Sequence, residues 1–148
     1  HRLVLAGGDR EHRSDLERLA GSLGVADRVL FPGLIDDAHL PAVYSGAALF
    51  VLPSLEEGFG LPALEAMACG APVAASNRAA IPEVVGDAAV LFDPENISAI
   101  AEAMTRALSQ PDLREGMRRQ GLARAGAFTS DRTAGRVVAL LREVATGQ

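Results

Sequence analysis

Two glutamates, Glu57 and Glu65, flank a glycine-rich segment and are separated by seven residues. Between them, Gly58 and Gly60 can adopt backbone conformations that other residues rarely adopt, which lets the main chain approach a ligand closely. The segment leads into a predicted helix that starts near Pro62, and the unpaired amides at a helix start favour an anionic group. A diphosphate or a sugar hydroxyl would suit a pocket built in this way.

The two carboxylates suit different tasks in such a pocket. Glu65 is predicted to lie in the first turn of the helix, about three residues or ~4.5 Å along the axis from Pro62, so its side chain can reach the pocket. A carboxylate can bind two neighbouring hydroxyls, because each oxygen accepts one proton. Glu57 follows a predicted strand, at the sheet edge where ligands bind in open α/β folds, and could face a reacting sugar. The spacing alone leaves an alternative equally open, in which Glu57 is a solvated loop residue and Glu65 interacts only with the helix dipole.

Short apolar runs alternate with amphipathic stretches along the chain, which is typical of βα units in a parallel sheet. The sequence therefore predicts an α/β fold. Ala48–Leu52 is the most apolar of the predicted strands, which favours a buried central position. The predicted strands are Leu3–Ala6, Val29–Phe31, Ala48–Leu52, Val73–Ala75 and Ala88–Phe92, and three helical stretches follow over 97–109, 112–125 and 130–144.

The composition limits the classes of function. The chain has 148 residues, of which 49% are hydrophobic, enough for a core without disulfides. A net charge of -5 argues against nucleic-acid binding, which needs a clustered positive face. A single cysteine, Cys69, without a Cys/His cluster favours a reducing, cytoplasmic setting and predicts no metal site. No apolar run reaches the ~18 residues that span a bilayer, so we expect any membrane contact to be peripheral, at the inner face.

Further motifs surround the two glutamates in a fixed order. They are Pro53-Ser54, Glu57-Gly58-Phe59-Gly60-Leu61-Pro62, Leu64-Glu65-Ala66-Met67-Ala68-Cys69-Gly70-Ala71-Pro72-Val73 and Pro82-Glu83-Val84-Val85-Gly86-Asp87. Together they resemble the signature of glycosyltransferase family 4, the group 1 glycosyltransferases, from Leu3 to at least Pro94. The resemblance implies the C-terminal, donor-binding half of a GT-B enzyme, with a Rossmann-like parallel sheet and helices on both faces.

The resemblance also implies a role for each motif residue. Glu57 would be the catalytic residue that faces the donor sugar, and Glu65 would bind the ribose hydroxyls of the nucleotide. The other donor-binding residues would be Gly58, Phe59, Gly60, Leu61, Gly33 and Leu34, the last two beside the base. Members of the family transfer sugars with retention, aided by the donor's own phosphate, and many need no metal.

We therefore expect the substrate to be a nucleotide diphosphate sugar, of the GDP-mannose or UDP-glucose type. The hexose would be transferred to a glycan or lipid-linked acceptor without a cofactor. The alternative is a non-catalytic nucleotide-sugar-binding module, or a split-enzyme subunit that lends its donor site to another chain.

The family pattern has a strand and a helix before Leu3, a basic pair for the diphosphate in the loop after that strand, and an N-terminal domain. We accordingly expect 1–148 to be one N-terminally incomplete domain, with a βα core over 1–95 and helices over 96–148, inactive without its N-terminal partner domain. In the strand order 3-2-1-4-5-6, the missing first strand would lie between the Leu3 and Leu49 strands. Those two strands could pair directly, another chain could fill the gap by strand complementation or in a homodimer, or the chain could be a fragment.

Overall fold

A computed structural model describes residues 1–7 and 12–146 of the chain. The chain divides into two compact units, His1–Leu40 and Pro41–Gln148. The first unit contains β1 (Leu3–Ala6), α1 (Arg13–Ser22), a short 3₁₀ helix (Ala26–Arg28) and β2 (Val29–Gly33). The second contains β3 (Phe50–Leu52), α3 (Leu61–Ala68), β4 (Val73–Ser76), α4 (Ile81–Val85), a 3₁₀ helix (Gly86–Ala88), β5 (Ala89–Phe92), α5 (Ile97–Ser109), α6 (Pro111–Ala125) and α7 (Ser130–Thr146), and α2 (Leu40–Gly46) begins at its boundary.

In the first unit, β1 and β2 form a parallel pair in which Leu3 lies opposite Val29. The pair ends at Gly33, whose carbonyl accepts a 3.0 Å hydrogen bond from the Gly7 amide. Gly33 has a φ of +79°, a left-handed conformation that favours glycine and turns the chain out of the strand.

In the second unit, three parallel strands have the order β3-β4-β5. The prediction that the apolar strand at 48–52 is the central one is wrong for this sheet, because β3 is an outer strand and only half-buried. The central strand is β4, and all four of its residues are buried. Its side chains are small, which lets α3, α4, α5 and α6 all approach it closely.

In the part of the chain that the structure describes, the strand at Leu3 pairs with β2 in the first unit, and β3 pairs with β4 in the second. Direct pairing of the strands at Leu3 and Leu49 would join the two units and stays a prediction. Strand complementation and the single incomplete domain stay predictions. The α/β fold with parallel strands is confirmed.

The helices after β5 match their predicted bounds closely, and one of them packs tightly on the site helix. The Asn96 side chain accepts the Ala99 amide at 3.1 Å and caps α5. Helix α6 contacts α3 through Gly121, where an added Cβ would lie 3.2 Å from Cγ of Met67. Met67 is fully buried, so a side chain added at Gly121 would force it to shift by a few tenths of an ångström within the core.

This contact predicts opposite effects for two glycine substitutions in α6. Gly121→Ala should lower the free energy of unfolding by about 1 kcal/mol, because the clash with buried Met67 outweighs the gain in helix propensity. Gly116→Ala is the matched control, since nothing lies within 4 Å of its added Cβ. It should raise the free energy of unfolding by about 0.5–1 kcal/mol. Urea denaturation of both variants measures the difference, and equal stabilisation by both would contradict the close packing.

Candidate functional site

The glycine loop between β3 and α3 is shaped by Gly60, which has a left-handed φ of +97° and is the N-cap residue of α3. Its carbonyl accepts hydrogen bonds from the amides of Ala63 at 3.0 Å and Leu64 at 3.3 Å. A Cβ added to Gly60 would meet only ordinary contacts, with Ile81 at 3.7 Å and Glu57 at 3.9 Å. The positive φ is therefore what favours glycine here, and the turn that it makes brings Glu57 beside the start of α3.

Glu57 lies half-buried on this loop. The Ser54 hydroxyl approaches its Oε2 at 3.5 Å, a long contact at the limit of hydrogen bonding. Ser54 is the second residue after the end of β3, so the sheet places both residues at its carboxyl edge. The one hydrogen bond that the described residues give the Glu57 carboxylate is thus a weak one.

Glu65 lies beyond the first turn of α3, which contains no acidic residue. The prediction of a first-turn position was wrong, because the Gly60 turn starts the helix at Leu61 rather than at Pro62. Its side chain is exposed, and its Oε2 accepts a 3.1 Å hydrogen bond from the hydroxyl of Tyr44. Glu65 therefore has a specific side-chain partner. A glutamate that interacted only with the helix dipole would have no such partner.

Tyr44 on α2 is a site residue that sequence reasoning missed. Its ring is buried and packs edge-to-face on Phe50, with centroids 5.3 Å apart. Burial, followed by the hydrogen bond and the charge of Glu65, raises the pKa of Tyr44 to about 12, so the phenol keeps its proton and remains a donor. The available signal was that Tyr44 is the single tyrosine of the sequence and directly follows the apolar residues Ala42 and Val43, since a buried phenol needs a partner.

Phe59 packs against the segment that joins α6 and α7. Its ring meets Phe128 edge-to-face with centroids 5.9 Å apart, and the Arg124 guanidinium lies 5.0 Å from the Phe128 centroid. Arg124 also donates hydrogen bonds to the carbonyls of Val84 at 2.8 Å and of Glu83, in α4. These contacts connect the loop to α4 and α6, whereas the sequence predicted only ligand contacts for it.

A cavity of about 740 Å³ opens beside these residues, a volume typical of small-molecule sites. Phe59, Leu61 and Glu65 form part of its lining, and Val137 and Val138 of α7 form another part. The lining is mainly apolar, and Glu65 brings a carboxylate to it. The cavity is thus suited to a ligand with an apolar face and hydroxyl groups.

The predicted site residues are only partly brought together. Glu57, Gly58, Phe59, Gly60, Leu61 and Glu65 share the second unit, but Glu57, Gly58 and Gly60 do not line the cavity. Gly33 and Leu34 belong to the first unit, where Leu34 is 81% exposed. The positions of these two beside a base, and the catalytic and donor-binding roles, stay predictions.

Residues 1–7 and 12–146 contain neither a candidate metal cluster nor a candidate membrane-spanning helix. No group of three or more His, Cys, Asp or Glu side chains there is arranged to hold a metal ion. No helix in these ranges is both long enough and apolar enough to cross a membrane. The expectation that no metal or cofactor is required stays a prediction.

Comparison with known proteins gives concordant results. The family model of the glycosyl transferases group 1 matches residues 1–124. O-antigen chain mannosyltransferase B of Escherichia coli is 45% identical over 101 residues, which are 68% of this chain and 26% of that protein. Sucrose-phosphate synthase from Thermosynechococcus elongatus aligns with a TM-score of 0.84 and 35% identity, over 99% of this chain and 39% of that one.

A third comparison concerns a single domain. The C-terminal domain of a glycosyl transferase group 1 family protein from Francisella tularensis aligns with a TM-score of 0.72 and 31% identity. The alignment covers 80% of this chain and 63% of that one. This chain therefore spans 26% of the mannosyltransferase and 39% of the synthase, but most of the isolated domain.

The raised pKa of Tyr44 predicts that the stability of the fold depends on pH. The phenol ionises at 10.0 in its ordinary state and at about 12 in the folded protein, so between these values the native state binds more protons than the unfolded state. The contribution of the protonated Tyr44 to the free energy of unfolding is fully present below pH 10, and it is lost as the pH rises towards 12. The free energy of unfolding should therefore fall more steeply over this range in the wild type than in Tyr44→Phe.

Denaturation at several alkaline pH values measures both slopes. The difference between the phenolate absorbance titrations of the two proteins isolates Tyr44. Equal slopes, or an ordinary pKa in the difference titration, would contradict the buried hydrogen bond.

Proposed function

Because the chain belongs to the glycosyl transferases group 1 family, we propose that it is the donor-binding domain of a hexosyltransferase and that it binds a nucleotide diphosphate sugar. The observation that carries this proposal is the placement of Glu57 and Glu65 on either side of the left-handed Gly60 turn, with Glu65 on the lining of the cavity. This arrangement offers one carboxylate for a sugar and one for a nucleotide.

Glu65 is proposed to bind the ribose hydroxyls. A carboxylate has about four lone-pair sites, and Tyr44 takes one of those on Oε2. The remaining sites can accept two hydroxyl protons. The exposure of Glu65 leaves this side of the carboxylate open to a ligand.

The loop before α3 is proposed to bind the donor's diphosphate and sugar. The amides of Ala63 and Leu64 already bond to the Gly60 carbonyl, and Pro62 has no N–H. What the start of α3 offers a negative group is therefore the Leu61 amide and the positive end of the helix dipole. The backbone of Gly58 to Gly60, together with Leu61, would contact the diphosphate or the sugar, and Glu57 would face the reacting sugar. Gly33 and Leu34 would lie beside the base.

We propose that transfer proceeds with retention. The acceptor hydroxyl oxygen forms its bond to the anomeric carbon on the face from which the diphosphate leaves, and its proton passes to the departing phosphate oxygen. Such a step needs neither a protein nucleophile nor a metal. The relative from Escherichia coli is an O-antigen chain mannosyltransferase, which supports mannose as the hexose. The proposed donor is accordingly GDP-linked, and the proposed acceptor is a glycan or is lipid-linked. A UDP-glucose type donor is the other candidate.

Two isosteric substitutions test the roles of the glutamates in the protein expressed from its complete gene. Glu65→Gln should weaken binding of the donor about tenfold or more, because a hydrogen bond to a charged group contributes ~1.5–3 kcal/mol. Glu57→Gln should retain donor affinity but lose turnover, because it acts on the reacting sugar. Calorimetry with GDP-mannose and UDP-glucose, and a transfer assay, provide the measurements.

Glu102→Gln, at an exposed position of α5, is the matched control and should change neither quantity. Unchanged affinity in Glu65→Gln would exclude the ribose assignment. Donor binding without turnover in the wild type would favour the alternative, a nucleotide-sugar-binding module or split-enzyme subunit. No binding of either donor would refute the proposed function.

A further inference from the structure

We infer that Tyr44 is a positioning residue that holds the Glu65 carboxylate in the orientation needed to recognise ribose hydroxyls. The inference rests on the proposed function, and it makes Tyr44 a determinant of selectivity for ribonucleotides. It concerns a residue that does not itself need to touch the donor.

The hydrogen bond between Tyr44 and Glu65 joins two different helices and links a buried side chain to an exposed one. Tyr44 on α2 and Glu65 on α3 are 21 residues apart in sequence, and their side chains meet at 3.1 Å. Tyr44 is 9% exposed, whereas Glu65 is exposed. The buried partner is therefore the fixed one, and it holds a side chain that would otherwise move freely in solvent.

The fold sets the position of the phenol independently of Glu65. The Tyr44 ring packs on Phe50 at an interplanar angle of 85°, and Phe50 is the first residue of β3. The Phe50 amide donates a 2.8 Å hydrogen bond to the Pro72 carbonyl, just before β4. Tyr44 is thus anchored to the sheet, and the sheet thereby determines where its hydroxyl points.

Holding Glu65 in this way matters for a ligand with two adjacent hydroxyls. A glutamate side chain has several rotatable bonds, and a free one loses that freedom when it binds. The hydrogen bond from Tyr44 orders the carboxylate in advance, so less entropy is lost on binding. Because Tyr44 stays protonated at neutral pH, it donates in every state of the site and does not compete for the hydroxyl protons.

A merely structural Tyr44 would affect all ligands equally, whereas a positioning Tyr44 affects only ligands with ribose hydroxyls. The test compares binding of uridine and guanosine diphosphates with binding of their 2′,3′-dideoxy counterparts, in the protein expressed from its complete gene. The variants are Tyr44→Phe, Glu65→Gln and the double substitution. Tyr44→Phe should weaken binding of the ribonucleotide about threefold to tenfold and leave the dideoxy ligand unchanged.

The double substitution should bind the ribonucleotide no more weakly than Glu65→Gln alone, because Tyr44 acts through the carboxylate. Should Tyr44→Phe fail to fold, Phe50→Leu loosens the ring and keeps the phenol, and should give a smaller loss that again requires the ribose hydroxyls. Equal losses for both ligands, or no loss for either, would overturn this inference alone. No binding of any nucleotide by the wild type would overturn the proposed function and this inference together.

Discussion

Gly60 turns the chain at a φ of +97° between β3 and α3, and its carbonyl receives the first two amide hydrogen bonds of the helix. The helix that starts there buries Ala63, Ala66 and Met67 completely. With this face fixed in the core, α3 cannot rotate, and Glu65 is directed outwards. One short helix is therefore both part of the core and the support of the site carboxylate.

Helix α6 stabilises this arrangement by packing directly on α3. Gly121 lets it pack directly on Met67, and Arg124, one turn later, donates to two carbonyls of α4. Phe128, just after α6, packs against Phe59 and so stabilises the glycine loop. The loop needs such support because it is glycine-rich and has little regular structure of its own, and a functional loop must be held in place by its neighbours.

Local signals in the sequence predicted the elements well, while contacts between distant residues could not be predicted. The Asn96 cap and Pro111 set the bounds of α5 and α6, and both act within one turn of a helix. The central position of β4 depends on four helices packing on small side chains, which apolar content alone does not reveal. The hydrogen bond between Tyr44 and Glu65 joins residues 21 apart, and neither periodicity nor spacing encodes it.

The two glutamates of one motif end in different surroundings, and the difference bears on how they can act. Glu65 receives a 3.1 Å hydrogen bond from a buried phenol, whereas the contact that the described residues give Glu57 is a 3.5 Å approach from Ser54. A carboxylate that is ordered before binding suits a part of the ligand that stays unchanged during the reaction, since such contacts contribute equally to the ground state and the transition state. A weakly held carboxylate can follow the sugar as its charge and geometry change. The local structure thus favours the two roles proposed for the pair, in which Glu65 binds the donor and Glu57 acts in the chemical step.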